Sequence, residues 1–343
     1  MTIRILTITL GLGLAGSVLA EGTVPTSVLR HTTLTDLARA GDRVVAVGDR
    51  GTVLFSDDDG LQWQRATTPT GVLLTAVCFA NDRQGWAVGH DATILATSDG
   101  GRSWQLQHQD VGDVIEEVSD DDLDDEDWDD EDWDENSPAE AAAGAPLLDV
   151  QCLSARSATA VGAYGLRLET ADGGLHWQPS SETLPDAEGW HLYQHVLQAG
   201  GPDYLVGEKG SLYRRDGVGH WEPLESPYDG TFFGGLASRH HGLLVFGLQG
   251  NLWRSVDSGI SWQRVALPIR SGINSGLLLE RGRVALVGNA GVLLESRDEG
   301  RSFTLRHLPG RPNLSAVLAR RDGGYLVAGV GGIHIVAAQE SQP

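Results

Sequence analysis

The chain has 343 residues, a formal net charge of −22 and two cysteines. Such acidity argues against a nucleic-acid-binding surface. The 45 glycines and short apolar runs suit an all-β body rich in turns.

Residues 1–20 read as a secretory leader. Arg4 is the basic flank, Ile5 to Ala15 the apolar run and Val18-Leu19-Ala20 a small-residue cleavage site, with cutting expected after Ala20. The run is shorter than the roughly 20 residues of a spanning helix, and no cysteine follows it to take a lipid. The domain expected after it is 21–343, soluble, and periplasmic or secreted.

From residue 34 onward a single frame repeats. Its clearest copy is Trp86–Trp104: a small-apolar strand ending at Gly89, a tight turn, a strand through Ile94 and Leu95, then Thr97, Asp99, Gly101 and Trp104. The last four fit S/T-x-D-x-G-x-x-W, the Asp-box of the BNR repeat. Asp and Gly supply the turn of a hairpin, and the Trp opens the next strand as a large apolar plug. Equivalent glycines are Gly48, Gly89, Gly162, Gly207, Gly247, Gly288 and Gly329, spaced at about 41 residues except where an insertion lengthens one step.

Five boxes are intact, with Asp58, Asp99, Asp172, Asp257 and Asp298, and one is worn, with Asp216 and Trp221. In the second unit the strands are expected at Leu74–Ala80, Gly85–Gly89, Thr93–Thr97 and Ser103–His108. Four short strands per period of about 40 indicate a β-propeller blade, and seven units indicate a seven-bladed ring of four-stranded antiparallel blades. The last unit, Leu314–Ala338, stops after three strands, while Pro25–Thr33 is a spare alternating segment. That N-terminal strand is expected to complete the last blade and close the ring, leaving no open end. Recurrence makes the box aspartates joinery, since a catalytic group is needed once and a turn in every blade.

The stretch 110–146, between blades two and three, holds 18 Asp or Glu and neither Lys nor Arg. Such self-repulsion prevents independent folding, so a disordered insertion is expected. The alternatives are an arm docking on a basic partner through Trp128 and Trp133, and calcium binding without the usual loop spacing. Arg254 to Arg321 carries 11 Arg against five acids, as scattered surface charge or as a surface for carboxylates. Cys78 and Cys152 occupy equivalent places in neighbouring blades. Equivalent side chains point the same way round a ring, which disfavours a bridge and favours two small buried hydrophobes.

The loops joining second to third strands vary while their framing glycines stay. Their tips are Asp49-Arg50, His90-Asp91, Ala163-Tyr164, Glu208-Lys209, Leu248-Gln249, Asn289-Ala290 and Val330-Gly331. Recognition is expected on that face, with Arg50, His90, Asp91, Tyr164, Lys209, Gln249 and Asn289 as candidate partner-binding residues. Asp-box propellers include sialidases, and Tyr164, Glu208, Arg50 and Asp49 could supply parts of a glycosidase site, but no spacing selects them. His240-His241 is an isolated pair, and no nucleophile elbow or phosphate loop is present. No catalytic residue, metal or cofactor is expected. A glycoside hydrolase, or a glycan-binding propeller without catalysis, is the alternative.

The run Trp86–Trp104, with Ala46-Val47-Gly48 before Gly51-Thr52-Val53-Leu54 and Ala160-Val161-Gly162 before Gly165, resembles the Ycf48/Hcf136 family of photosystem II assembly factors. The likeness spans the mature chain apart from 110–146, an insertion foreign to those factors. The resemblance implies a seven-bladed propeller, exported, acting as a non-enzymatic assembly or stability factor for a membrane complex; the protein is expected to be a monomer. That client is a photosystem in a photosynthetic host, or an RND-type exporter in others.

Overall fold

The computed structural model describes residues 23–110, 144–185, 188–217, 219–238 and 242–338. The leader and the body of the acidic insertion, with Trp128 and Trp133, lie outside the described residues.

Among the described residues seven antiparallel sheets succeed one another along the chain, six with four strands and the last with three. In blade two the strands are Leu74–Phe79, Gly85–Gly89, Ile94–Thr97 and Gln105–His108, within one or two residues of the expected bounds. The inner strands of the other blades are Leu34–Ala40, Leu147–Cys152, Leu192–Val196, Phe232–Ala237, Ile273–Leu278 and Leu314–Ala319. Each inner strand touches that of the next blade, and the seventh touches the first, so the ring is closed. The fold is an all-β seven-bladed propeller.

The second strands, such as Arg43–Gly48 and Val284–Gly288, are buried along their whole length. Both faces of each blade meet a neighbour, so these strands read as continuous runs of Val, Ala and Leu and do not alternate. The core is correspondingly divided among seven clusters, one per pair of adjacent blades. Each box aromatic plugs the cluster shared with the preceding blade. Trp63 fills the seven–one interface, Trp104 the one–two, Trp177 the two–three, Trp221 the three–four, Trp262 the four–five and Phe303 the five–six.

The box aspartates bond inside their own hairpins. Asp99 Oδ1 accepts from Thr97 Oγ1 at 2.8 Å, Arg102 N at 2.9 Å and Ser103 N at 3.1 Å. Asp58, Asp172, Asp257 and Asp298 each accept from the Ser or Thr two residues earlier and from the backbone N–H four residues later. The Ser261 and Ser302 hydroxyl and backbone donors pull the Asp257 and Asp298 carboxyls down to about 2. The box glycine is required twice over. Gly60 has φ 90°, and a Cβ there would lie 2.5 Å from Leu326 of the preceding blade.

Two expectations are corrected. The N-terminal segment does not complete blade seven. Thr23 bridges Gln64 and Val24 N donates to Trp63 O, both on blade one, after which Thr26–Leu29 forms one helical turn. Val24 and Leu29 pack into the seven–one cluster, and the Leu29 carbonyl lies 2.0 Å from where a Cβ on Gly332 would be. Leu29 packs half-buried in that wedge through a helical turn, in place of the straight edge strand that its alternation suggested. The ring instead closes through an ion-pair knot. Asp59 of blade one's box takes Arg39 at 2.5 Å, Arg320 at 3.7 Å and the Arg321 N–H at 3.0 Å, while Ser315 Oγ donates to Leu34 O at 2.7 Å.

The second correction is that Cys78 and Cys152 are disulfide-bonded, with Cα atoms 5.7 Å apart. Inner strands converge on the channel, so equivalent positions there come within bridging distance, and both sulfurs lie in the two–three interface. Although equivalent side chains point the same way round the ring, the inner strands approach closely enough at the channel for the two sulfurs to meet.

Candidate partner-binding face

The tips of the second-to-third strand loops share one backbone geometry. Arg50, Tyr164, Lys209, Gln249 and Ala290 all have φ between 51° and 58°, each followed by a glycine of positive φ. Two consecutive left-handed residues make the tight turn whose twist matches a hairpin. The chain therefore fixes the backbone and leaves one outward side chain per blade free to vary. Blade two departs, with Asp91 and Ala92 both left-handed, and Ala92 N donates to Ala145 O where the insertion rejoins the ring. Asp110 N donates to Asp91 O, so both ends of the insertion emerge at this turn, on the loop face.

Of the candidate residues, Arg50, His90, Tyr164, Lys209 and Gln249 are exposed, and Asp91 and Asn289 are half-buried. Asn289 is partly committed, since its Oδ1 accepts from Asn274 Nδ2 at 2.9 Å. Tyr164 and Lys209 come together around residues that sequence reasoning did not single out. Tyr164 stands edge-on to His191 with centroids 5.0 Å apart, His191 stacks on Tyr193 at 6.4 Å, and Tyr193 meets Phe233 at 5.2 Å. Lys209 Nζ lies 5.6 Å above the Trp190 ring. Glu208 holds His191 in place, with Oε2 3.0 Å from Nδ1 and 3.2 Å from the backbone N. An aromatic row thus crosses blades three to five at the channel mouth, beside the acidic insertion's point of exit.

This row exists because inner strands use their second residue differently. In blades one, two, six and seven that residue is polar and ties to the next blade's carbonyl: Thr35 to Leu74, Thr75 to Leu147, Asn274 to Leu314 and Ser315 to Leu34. In blades three, four and five it is Leu148, Tyr193 or Phe233. In blades three and four the tie moves one residue along. Asp149 Oδ2 accepts from His195 N at 2.9 Å, and Gln194 Oε1 from Gly235 N at 2.7 Å. The aromatic side chains are thereby released to the mouth. A comparison of second residues across the seven units would have found them in the sequence.

Asp36 also makes this shifted tie, accepting from Val77 N at 2.9 Å and Leu37 N at 2.8 Å. Burial in the channel wall raises its carboxyl to about 7 despite those donors, and the Asp149 charge adds to the rise. Burial raises Asp149 as well. Among the described residues no three potential ligands cluster as a metal site. Of the candidate glycosidase parts, Tyr164 and Glu208 meet at His191, whereas Asp49 and Arg50 belong to blade one's turn. The arginines of the last three blades are divided. Arg254, Arg301, Arg306, Arg320 and Arg321 are in ion pairs, while Arg264, Arg270 and Arg311 are exposed.

A family model described as photosynthesis system II assembly factor YCF48 matches residues 61–128. The photosystem II assembly protein Ycf48 of Thermosynechococcus vestitus is 28% identical over 272 residues, covering 70% of this chain and 74% of that protein. Among solved structures, YCF48 bound to D1 peptide superposes with a TM-score of 0.66 at 19% identity, over 91% of this chain and 95% of that one. YCF48 from Cyanidioschyzon merolae gives 0.65 at 17%, over 93% and 99%. The chain is thus a seven-bladed β-propeller that is similar to Ycf48 proteins in sequence and in fold.

Proposed function

We propose that this protein is a monomeric, non-enzymatic assembly or stability factor that binds a segment of a membrane protein at the aromatic mouth of its loop face. The observation that carries the reading is the row Tyr164–His191–Tyr193–Phe233, in which Tyr193 and Phe233 stand at the inner-strand position where blades one, two, six and seven keep polar ties. Aromatic side chains with apolar bodies and polar tips are favoured anchors for partner chains. The related Ycf48 is named as an assembly protein of photosystem II, and one structural neighbour was solved with a D1 peptide. In a photosynthetic host the client is a photosystem; elsewhere it is a complex such as an RND-type exporter. The disulfide fits an oxidising, periplasmic location, and the acidic insertion, leaving the ring beside the row, assists docking.

The test is affinity capture from the host's membranes with the wild type, a Tyr193→Ala/Phe233→Ala double variant and a chain lacking 110–146. The wild type enriches one membrane protein, the double variant loses it while keeping its melting temperature, and the deletion weakens capture. Equal capture by the double variant would sink the reading, as would hydrolysis of a sialoside that depends on Tyr164 or Glu208.

A further inference from the structure

We infer that the outer edge of blade seven is a strand-docking site for an extended acidic peptide carrying one large aromatic residue. The molecule displays the bound form six times over. In blades one to six a fourth strand pairs with the third, and a box aromatic from the same hairpin plugs the interface with the preceding blade. Blade seven ends its described residues with the third strand, Gly332–Val336. Among the described residues nothing pairs with that strand's outer side, and the six–seven cluster contains no box aromatic.

Register identifies the free backbone groups. Ala328 pairs with Ile333 and Leu326 with Ile335, as Val47 pairs with Val53 and Val45 with Phe55 in blade one. Val53 and Phe55 turn their backbones toward the fourth strand, where Ala66 N donates to Val53 O and Phe55 pairs with Gln64. Ile333 and Ile335 therefore present N–H and C=O groups outward, and the Ile335 side chain is 47% exposed. An unpaired edge of this kind is a template for another strand.

The space beside the edge has the matching shape and charge. A groove of about 810 Å³ runs along it, lined by Leu29, Arg30, His307, Leu308, Ile333 and Val336 among others. Leu308 and Val336 belong to the six–seven cluster, so an aromatic side chain entering there would occupy the place that Trp63 or Trp104 takes elsewhere. Arg30 is exposed and in no ion pair among the described residues, so at this groove it favours an acidic strand, while Arg306 stays paired with Glu295. This site lies at the rim of blade seven, apart from the aromatic row on blades three to five, so either can fail without the other.

The probe is a fluorescently labelled peptide of this chain's own residues 56–65, which contains three aspartates and Trp63. It should bind the full-length protein saturably, slow amide exchange in 332–336, and lose about tenfold or more in affinity when its tryptophan is replaced by alanine. Ile335→Pro removes an outward N–H without touching the inner ladder and should abolish binding. A second variant, in which residues 57–65 are grafted after Val336, should melt at higher temperature and no longer bind the peptide. No saturable binding, binding that survives Ile335→Pro, or a graft with an unchanged melting temperature would each overturn the inference. Amides of 332–336 already as slow in the free protein as those of Val53–Ser56 would do so too, because the edge would then be occupied by the chain itself.

Discussion

Blades one, two, six and seven and blades three, four and five are built from the same repeat, yet their inner strands solve different problems. The first arc spends the second residue on a hydrogen bond across the seam: Thr35, Thr75, Asn274 and Ser315 each hold a neighbour's carbonyl. The second arc puts Leu148, Tyr193 and Phe233 there, and shifts the tie to Asp149 and Gln194 or, at the five–six seam, has no such tie among the described residues. A repeat fold thus obtains a distinct surface by moving a structural duty one residue along the strand. The disulfide joins the two arcs at the two–three seam. There the chain is interrupted by the insertion, so the cross-link ties together blades whose linker is long.

The largest effect should come from that junction. Reducing the Cys78–Cys152 bridge, or replacing Cys152 by serine, frees a loop spanning a sequence separation of 74 and should cost about 2–4 kcal/mol. Thermal unfolding with and without reductant measures it. An unchanged melting temperature would mean that the polar tie of Thr75 suffices at this seam. The arcs themselves are separated by a smaller pair of changes. Ser315→Ala removes the hydroxyl that seals seam seven–one and should cost about 1 kcal/mol. Tyr193→Phe, in the aromatic arc, should leave chemical denaturation within about 0.5 kcal/mol of the wild type. If the two variants lose equal stability, the division of labour between the arcs is wrong.

The smallest effect is on titration. An unfolded aspartate titrates near 3.9, and the folded value for Asp36 is about 7. Its contribution therefore favours the folded ring below about pH 4 and is lost as pH rises through 7. Asp257 and Asp298, at about 2, act in the opposite sense: their contribution is present above pH 4 and lost as pH falls through 2. Carboxyl carbon shifts followed by NMR should show Asp36 titrating near neutrality and the box aspartates only in strong acid. Asp36 titrating near 4 would show that channel water solvates it fully.

What the residues determine unaided is whatever lies within one hairpin. Ser or Thr, Asp, Gly and Trp at fixed offsets specify the box turn, because its hydrogen bonds reach no further than four residues. The recurring Gly and left-handed tip specify the opposite turn in the same way. Counting those units gives the blade number and a last unit of three strands. Tertiary structure decides whatever depends on the distance between units. The approach of inner strands around the channel brings Cys78 to Cys152, and the wedge between blades seven and one folds Thr26–Leu29 into a helical turn. The ring brings Tyr164, His191, Tyr193 and Phe233 into one row from three successive blades. None of these contacts is local along the chain; each follows from how closely seven packed sheets approach once the circle closes.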